Sequence, residues 1–206
     1  MKAKQSGFTL LEMMFTLTLL AVIVGIGVPN LRDFVRNSRM TAAANDIVTD
    51  FNLARSEAVK RRVPVTLCKS QNFTACDAND AAGPFNRWIV FVDDPNPAVA
   101  NIATDGNGVV DAGEVILRQR TLPENITVRK RANQLRAIFL PSGFPQAEAA
   151  RVERFLLCDP RGNVVGAGGD STARAIEIFA TGRPNVYRAI ATVTAFESDA
   201  TIGACP

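Results

Sequence analysis

The chain has 206 residues, 23 Lys and Arg against 20 Asp and Glu for a net charge of +3, four cysteines and no histidine. The missing histidine removes the commonest general base and the commonest transition-metal ligand, and no other catalytic motif replaces it, so the composition argues against an enzyme. With a short leader and one apolar span set aside, about 170 residues remain, enough for one domain with its own core.

The first element is apolar. From Phe8 to Val28 run twenty-one residues with one charge, Glu12. At about 1.5 Å of rise per residue, a helix of that length crosses a bilayer core of roughly 30 Å. Lys2 and Lys4 precede it and would hold that end on the cytoplasmic side. A secretory signal peptide carries small residues after its apolar core. Here the small residue, Gly7, comes before the core, and Ala42-Ala43-Ala44 lies beyond Arg32, Arg36 and Arg39. A carboxylate inside an apolar span is costly and needs a partner. A cut between Gly7 and Phe8 would create one, the new ammonium on Phe8 of a neighbouring subunit. An ordinary signal anchor explains the span but leaves Glu12 without a role.

The stretch Lys4-Gln5-Ser6-Gly7-Phe8-Thr9-Leu10-Leu11-Glu12-Met13-Met14 resembles the prepilin signal of type IV pilins and type II secretion pseudopilins. The resemblance implies cleavage by prepilin peptidase between Gly7 and Phe8, N-methylation of Phe8 and a Glu12 that guides assembly. Pro29 matches the helix-kinking proline of such chains.

After Pro29 a helical pattern resumes. Met40, Ala43, Ala44, Ile47, Phe51, Ala54 and Ala58 recur at steps of three and four, an apolar stripe on one face. It ends near Arg62, because Val63 precedes Pro64 and is pushed out of the helical region. One helix is expected from about Phe8 to Arg62. The segment around Ala54-Arg55-Ser56-Glu57-Ala58 resembles the corresponding stretch of the GspH/FimT family (FimU-like minor pilins). Arg55 and Glu57 themselves read as a charged helix flank.

Beyond Pro64 short β-type runs alternate with turn residues. Val65–Cys68, Trp88–Val92, Val115–Arg120, Ile126–Val128, Ala137–Phe139, Phe155–Cys158, Ala175–Phe179 and Val186–Val193 are the expected strands. The pattern gives an α+β fold with a long N-terminal helix, half transmembrane and half amphipathic, on a mostly antiparallel β-sheet domain, and the resemblance implies that this fold is type IV pilin-like. Its expected segments are a leader at 1–7, a membrane-spanning segment at 8–28, the amphipathic continuation at 29–62 and a periplasmic β-rich GspH/FimT-type domain at 63–206. In a domain outside the cytoplasm, Cys68, Cys76, Cys158 and Cys205 read as two disulfides with three pairings open. Cys68 with Cys76 and Cys158 with Cys205 is the pairing favoured, one closing a short loop and the other tying down the C-terminus.

The near-balanced charge hides a pattern. Residues 77–114 hold seven acids against Arg87, and residues 115–136 hold six cations against Glu124. Such a dipole suits neighbouring subunits with complementary faces, or it is two solvated faces. The loop from Asp105 to Glu114 places Asp105, Asn107, Asp111 and Glu114 among glycines, oxygen ligands of the kind that hold Ca²⁺. The twelfth position is Ile116, so an EF-hand is excluded, and Asp-Gly and Asn-Gly form turns in their own right. No other cofactor is expected.

The last candidate is the turn Thr181-Gly182-Arg183-Pro184-Asn185-Val186-Tyr187-Arg188. It is similar to an arginine motif of the form G-R-x-R that contacts DNA in FimT-type members. Asn185 stands at the second arginine, so Arg183 and Arg188 are the residues the resemblance puts forward, with Tyr187 placed to stack on a base. Residues 151–206 balance six arginines against six acids, a poor phosphate-binding footprint unless folding gathers the cations. Otherwise Arg183 belongs to a β-turn and pairs with an acid.

The resemblance as a whole implies a non-enzymatic minor pilin in the inner membrane. It would span once, hold its C-terminal domain in the periplasm and reach the filament tip after assembly. Its partners would be prepilin peptidase and other minor and major pilins, in a complex that primes type IV pilus assembly. A type II secretion pseudopilin and a DNA-binding minor pilin for natural transformation are the alternatives.

Overall fold

The computed structural model describes residues 7–77, 86–94, 106–130, 136–146, 153–166, 168–199 and 202–206. The chain forms two compact units, Met1–Arg39 and Met40–Pro206. Helix α1, Leu10–Arg61, contributes to both.

In the first unit, Thr9 caps the helix: its Oγ1 accepts the Glu12 N–H at 3.2 Å, filling one of the donors that a helix start leaves open. Thr16 and Thr18 turn their hydroxyls back onto the Met13 and Phe15 carbonyls at 2.9 and 2.8 Å. Both polar groups are thus satisfied within the apolar stretch. Pro29 sits inside the helix and offers no N–H to the carbonyl four residues before it. Every residue from Gly7 to Arg36 is exposed, and Phe8, Leu10 and Leu11 each keep more than three quarters of their surface.

The second unit is built on the C-terminal part of α1. Met40, Ala43, Ala44, Ile47, Phe51, Ala54 and Ala58 are buried there, as their spacing predicts, together with Asp50. Two four-stranded antiparallel sheets meet this face. The first has the order β3 (Ile116–Thr121), β2 (Arg87–Val92), β1 (Val65–Lys69), β5 (Arg136–Phe139). The second has the order β4 (Thr127–Lys130), β6 (Glu153–Cys158), β7 (Asp170–Ile178), β8 (Pro184–Ala189). Strand periodicity divides the side chains. Val65, Leu67, Trp88 and Val90 of the first sheet, and Phe155, Leu157, Ile176 and Ile178 of the second, share one core with the helix. Phe51 lies at its centre, with ring centroids 6.2 Å from Phe139 and 5.3 Å from Phe155. Four alanines on the helix bring it close to the sheets, since their small side chains leave little between the layers.

The opposite faces have separate covers. Cys68, Ile89 and Phe91 pack under Phe73, Cys76 and Val110. Leu156, Cys158, Ala173 and Ala175 pack under Val193, Phe196 and Ile202. Each cover is fastened by a disulfide, Cys68–Cys76 for the first sheet and Cys158–Cys205 for the second.

One expected element changes. The strand expected over Val186–Val193 ends at Ala189, and Ile190–Glu197 is a helix, α2. Its β-branched residues favour a strand, but Val193 and Phe196, three apart, both reach the outer face of the second sheet. Burial there outweighs the local preference. α1 begins at Leu10 and ends at Arg61, two residues and one residue inside the expected bounds. Arg62 turns the chain with φ of 60° ahead of Val63-Pro64.

Candidate functional site

Four places were expected to carry function. At the start of α1, Gly7 and Phe8 precede the helix and Glu12 stands in its first turn. An acid there faces the positive end of the helix dipole.

The turn around Arg183 joins β7 to β8. The Phe179 N–H donates to the Arg183 carbonyl at 3.2 Å and the Gly182 N–H to the Phe179 carbonyl at 2.7 Å. Gly182 has φ of 74°, and a Cβ placed on it would lie 2.9 Å from the Gly143 carbonyl oxygen and 3.5 Å from Arg55 Nε. Only glycine fits such a left-handed position pressed against backbone. Arg55 is half-buried and donates from Nε to the same Gly143 carbonyl at 3.0 Å. It is a staple between α1 and two turns rather than a charged flank. Glu57 does behave as a flank residue, bonded to Arg61 at 2.5 Å and Lys60 at 3.4 Å. The Arg61 hydrogen bond holds its carboxyl below the usual range.

Arg183 is exposed and makes no ion pair among the described residues, against the expectation of a nearby acid. Arg188 pairs with Asp170 at 3.1 Å. The two arginines stand five residues apart, roughly 16 Å along extended chain. Arg174 and Arg161 come within electrostatic reach of one another and Arg174 of Arg188, but these guanidinium groups are buried or paired. Arg154 pairs with Glu177 at 2.9 Å and Arg161 with Asp159 at 2.6 Å. Arg174 is buried with one guanidinium nitrogen on the Ser171 and Ala173 carbonyls. Burial, then the nearby Arg188 charge, lowers its pKa. Arg151 lies outside the described residues. Tyr187, expected to meet a base, donates instead to Glu177 at 3.2 Å and packs on Phe196, centroids 6.0 Å apart.

The loop expected to bind Ca²⁺ is described from Gly106 on, and Asp105 lies outside the described residues. Its polar groups bond to one another. Asn107 accepts the Val109 N–H at 2.6 Å and donates to Asp111 at 2.9 Å, while Glu114 Oε2 accepts the Asp111 N–H at 2.8 Å. Among the described residues no three His, Cys, Asp or Glu side chains form a group able to hold a metal. The sequence reading missed Asp93, which is fully buried at the end of β2 and accepts Thr66 Oγ1 at 2.5 Å and the Gly108 N–H at 2.7 Å. Burial raises the Asp93 pKa above its ordinary value. Burial, with Asp93, Asp111 and Asp94 nearby, pushes Glu114 up to about 7.

The charge dipole is partly spent inside the fold. Asp50 is fully buried and accepts Trp88 Nε1 at 2.8 Å and Arg120 Nε at 3.2 Å, with Arg118 Nε at 3.9 Å. Arg120 also reaches Asp46 at 3.5 Å. The Asp50 hydrogen bond raises the Arg120 pKa further. Two of the cations that looked free to meet a partner therefore bind the helix.

Residues 43–182 match the family described as type II transport protein GspH, and residues 2–28 match the prokaryotic N-terminal methylation motif. Two crystal structures of the type IV minor pilin FimU of Pseudomonas aeruginosa resemble the chain. One aligns with a TM-score of 0.48 at 15% identity over 74% of this chain and 91% of that chain. The other aligns with a TM-score of 0.44 at 16% identity over 71% and 90%. No curated protein matches the sequence.

Proposed function

From a chain that belongs to the GspH family and carries an N-terminal methylation motif, we propose a non-enzymatic filament subunit. In this reading the leader 1–7 is removed between Gly7 and Phe8, Phe8 is N-methylated, and residues 8–28 stand in the inner membrane. The observation that carries it is the position of Glu12: one acid in the first turn of α1, within an otherwise apolar and exposed stretch from Phe8 to Val28 under the methylation motif. In lipid, or among packed apolar helices, that carboxylate needs a cation. The freed amine of Phe8 on a neighbouring subunit supplies one, so membership of the filament neutralises both charges.

We place the subunit in a tip or priming complex of a type IV pilus, with other pilins and prepilin peptidase as partners. The test is Glu12→Ala in cells that assemble the filament. Membrane insertion and removal of the leader are expected to persist, while the amount in sheared filaments falls at least tenfold. Normal incorporation of the variant would overturn the charge-neutralising mechanism.

Two other roles have an observation each. The family's own description, a type II transport protein, favours a pseudopilin in protein secretion, and pull-down of pseudopilins rather than pilins would assign it there. Arg183, exposed and without an ion pair among the described residues, favours contact with DNA. One such cation neutralises little phosphate. Fluorescence polarisation with the full chain in detergent is therefore expected to show no salt-sensitive micromolar binding that falls in Arg183→Ala.

A further inference from the structure

The Val92 N–H donates to the Val115 carbonyl at 2.9 Å, which sets the next residue on one strand, Asp93, opposite the preceding residue on the other, Glu114. Like charges facing one another across a strand pair repel. Asp93 Oδ2 accepts Thr66 and Gly108, the Asn107 backbone N–H also bonds to the Asp93 carboxylate, and Glu114 Oε2 accepts Asp111. The other oxygen of each, Asp93 Oδ1 and Glu114 Oε1, is buried and accepts no hydrogen bond. Asp93 as a whole keeps no exposed surface. A buried carboxylate oxygen without a donor is a deficit that folding ordinarily avoids.

The surroundings add to the deficit. Asp111 and Asp94 lie within electrostatic reach of Glu114. Arg136 lies within electrostatic reach of Asp93, and it donates to the Asn107 carbonyl at 2.7 Å. Gly108 makes room for it, since a Cβ there would fall 2.2 Å from Arg136 Cδ. Asp93 and Glu114 thus face one another with Arg136 nearby, its own hydrogen bond made to a backbone carbonyl.

We propose that the ends of β2 and β3 hold a hard divalent cation of the calcium class between Asp93 Oδ1 and Glu114 Oε1. Two carboxylates are the protein's charged ligands there, and backbone and water oxygens complete the six to eight that calcium takes. Such a sparse donor set belongs with the weak extracellular sites, of dissociation constant on the order of 0.1–1 mM. The ion would bridge the strand ends and hold the loop from Gly106 to Glu114 against β1 through Thr66. This site is not the ligand set read from the loop alone. It draws on Asp93, and Asn107 and Asp111 serve as turn residues.

The experiment is thermal unfolding of the full chain in detergent at pH 8, followed by Trp88 fluorescence, in EDTA and in 10 mM calcium chloride. Wild type is expected to gain about 5 °C with calcium, in the manner of any ligand that binds only the folded state. Glu114→Gln is expected to lose that gain while unfolding in EDTA no lower than wild type, because it removes the repulsion along with the ligand. Asp93→Asn, a second variant, is expected to lose the gain as well. No calcium response in wild type overturns the site. So does a response that magnesium reproduces and Glu114→Gln retains, which would be charge screening. Stabilisation by acidification to pH 6 with none by calcium at pH 8 would mean that protons neutralise the pair, and would also overturn it.

Discussion

Asp50 lies on the apolar stripe of α1 between Ile47 and Phe51, where an unpaired carboxylate would cost several kcal/mol. It is tolerated because Trp88 and Arg120 satisfy both oxygens. Asp50→Asn removes the charge and leaves Arg120 partly buried with less to bind. The expected loss is about 3 kcal/mol of stability, read as a lower urea midpoint with an unchanged slope. In sequence Asp50 looks like any polar residue bordering the stripe. Its partners are 38 and 70 residues away, and no local pattern announces them. Arg55 was hidden for the same reason, since the turn it staples lies 88 residues on. The cysteines were easier, because four thiols leave few pairings. Arg183 could be picked out as a residue but not as a site. Whether its neighbours are free or spent in ion pairs depends on strand register, which periodicity does not supply.

Elements were legible from their apolar patterning. The helical stripe from Met40 to Ala58 could be read because burial of one face enforces a period of 3.6, and the strands, several of them buried on both faces, because short apolar runs are bounded by turn residues. α2 could not, because an eight-residue segment rich in Ile, Val and Thr carries strand preference and too few turns to show its period. The spacing of Ile190, Val193 and Phe196 was the available signal. The covers over the two sheets depend unequally on their disulfides. Cys68–Cys76 spans 8 residues and Cys158–Cys205 spans 47. If the bond acts through the unfolded chain, replacing the longer pair by serines costs about 4 kcal/mol and the shorter about 2.5 kcal/mol. Denaturant titration of the two double variants checks the order. Loss of the longer bond is further expected to expose the apolar face under α2, seen as dye binding below the unfolding midpoint.

For the whole molecule, the division at residue 39 has a direct test. The second unit contains its own helix, two sheets and three clusters of buried side chains. Residues 40–206 alone are expected to unfold in one cooperative step, with a midpoint within about 3 °C of that of the full chain in detergent, since 1 kcal/mol is worth about that much in a domain this size. Broad, non-cooperative melting of that fragment would show that the unit depends on the preceding residues. The N-terminal methylation motif was legible in the sequence because it is contiguous. A ligand site built across strand ends was not, because Asp93 and Glu114 become neighbours only once β2 and β3 pair.

The wide spacing of the second disulfide also orders events during synthesis. Cys68 meets its partner after 8 further residues, but Cys158 leaves the ribosome 47 residues ahead of Cys205. Throughout that interval the growing chain has one unmatched thiol beside an uncovered apolar sheet face. A chain that stalls or is clipped in this interval keeps an unmatched thiol and a bare sheet face, both of which are closed once Cys205 has joined and α2 has packed. The arrival of Cys205 is thereby recorded in the oxidation state of Cys158.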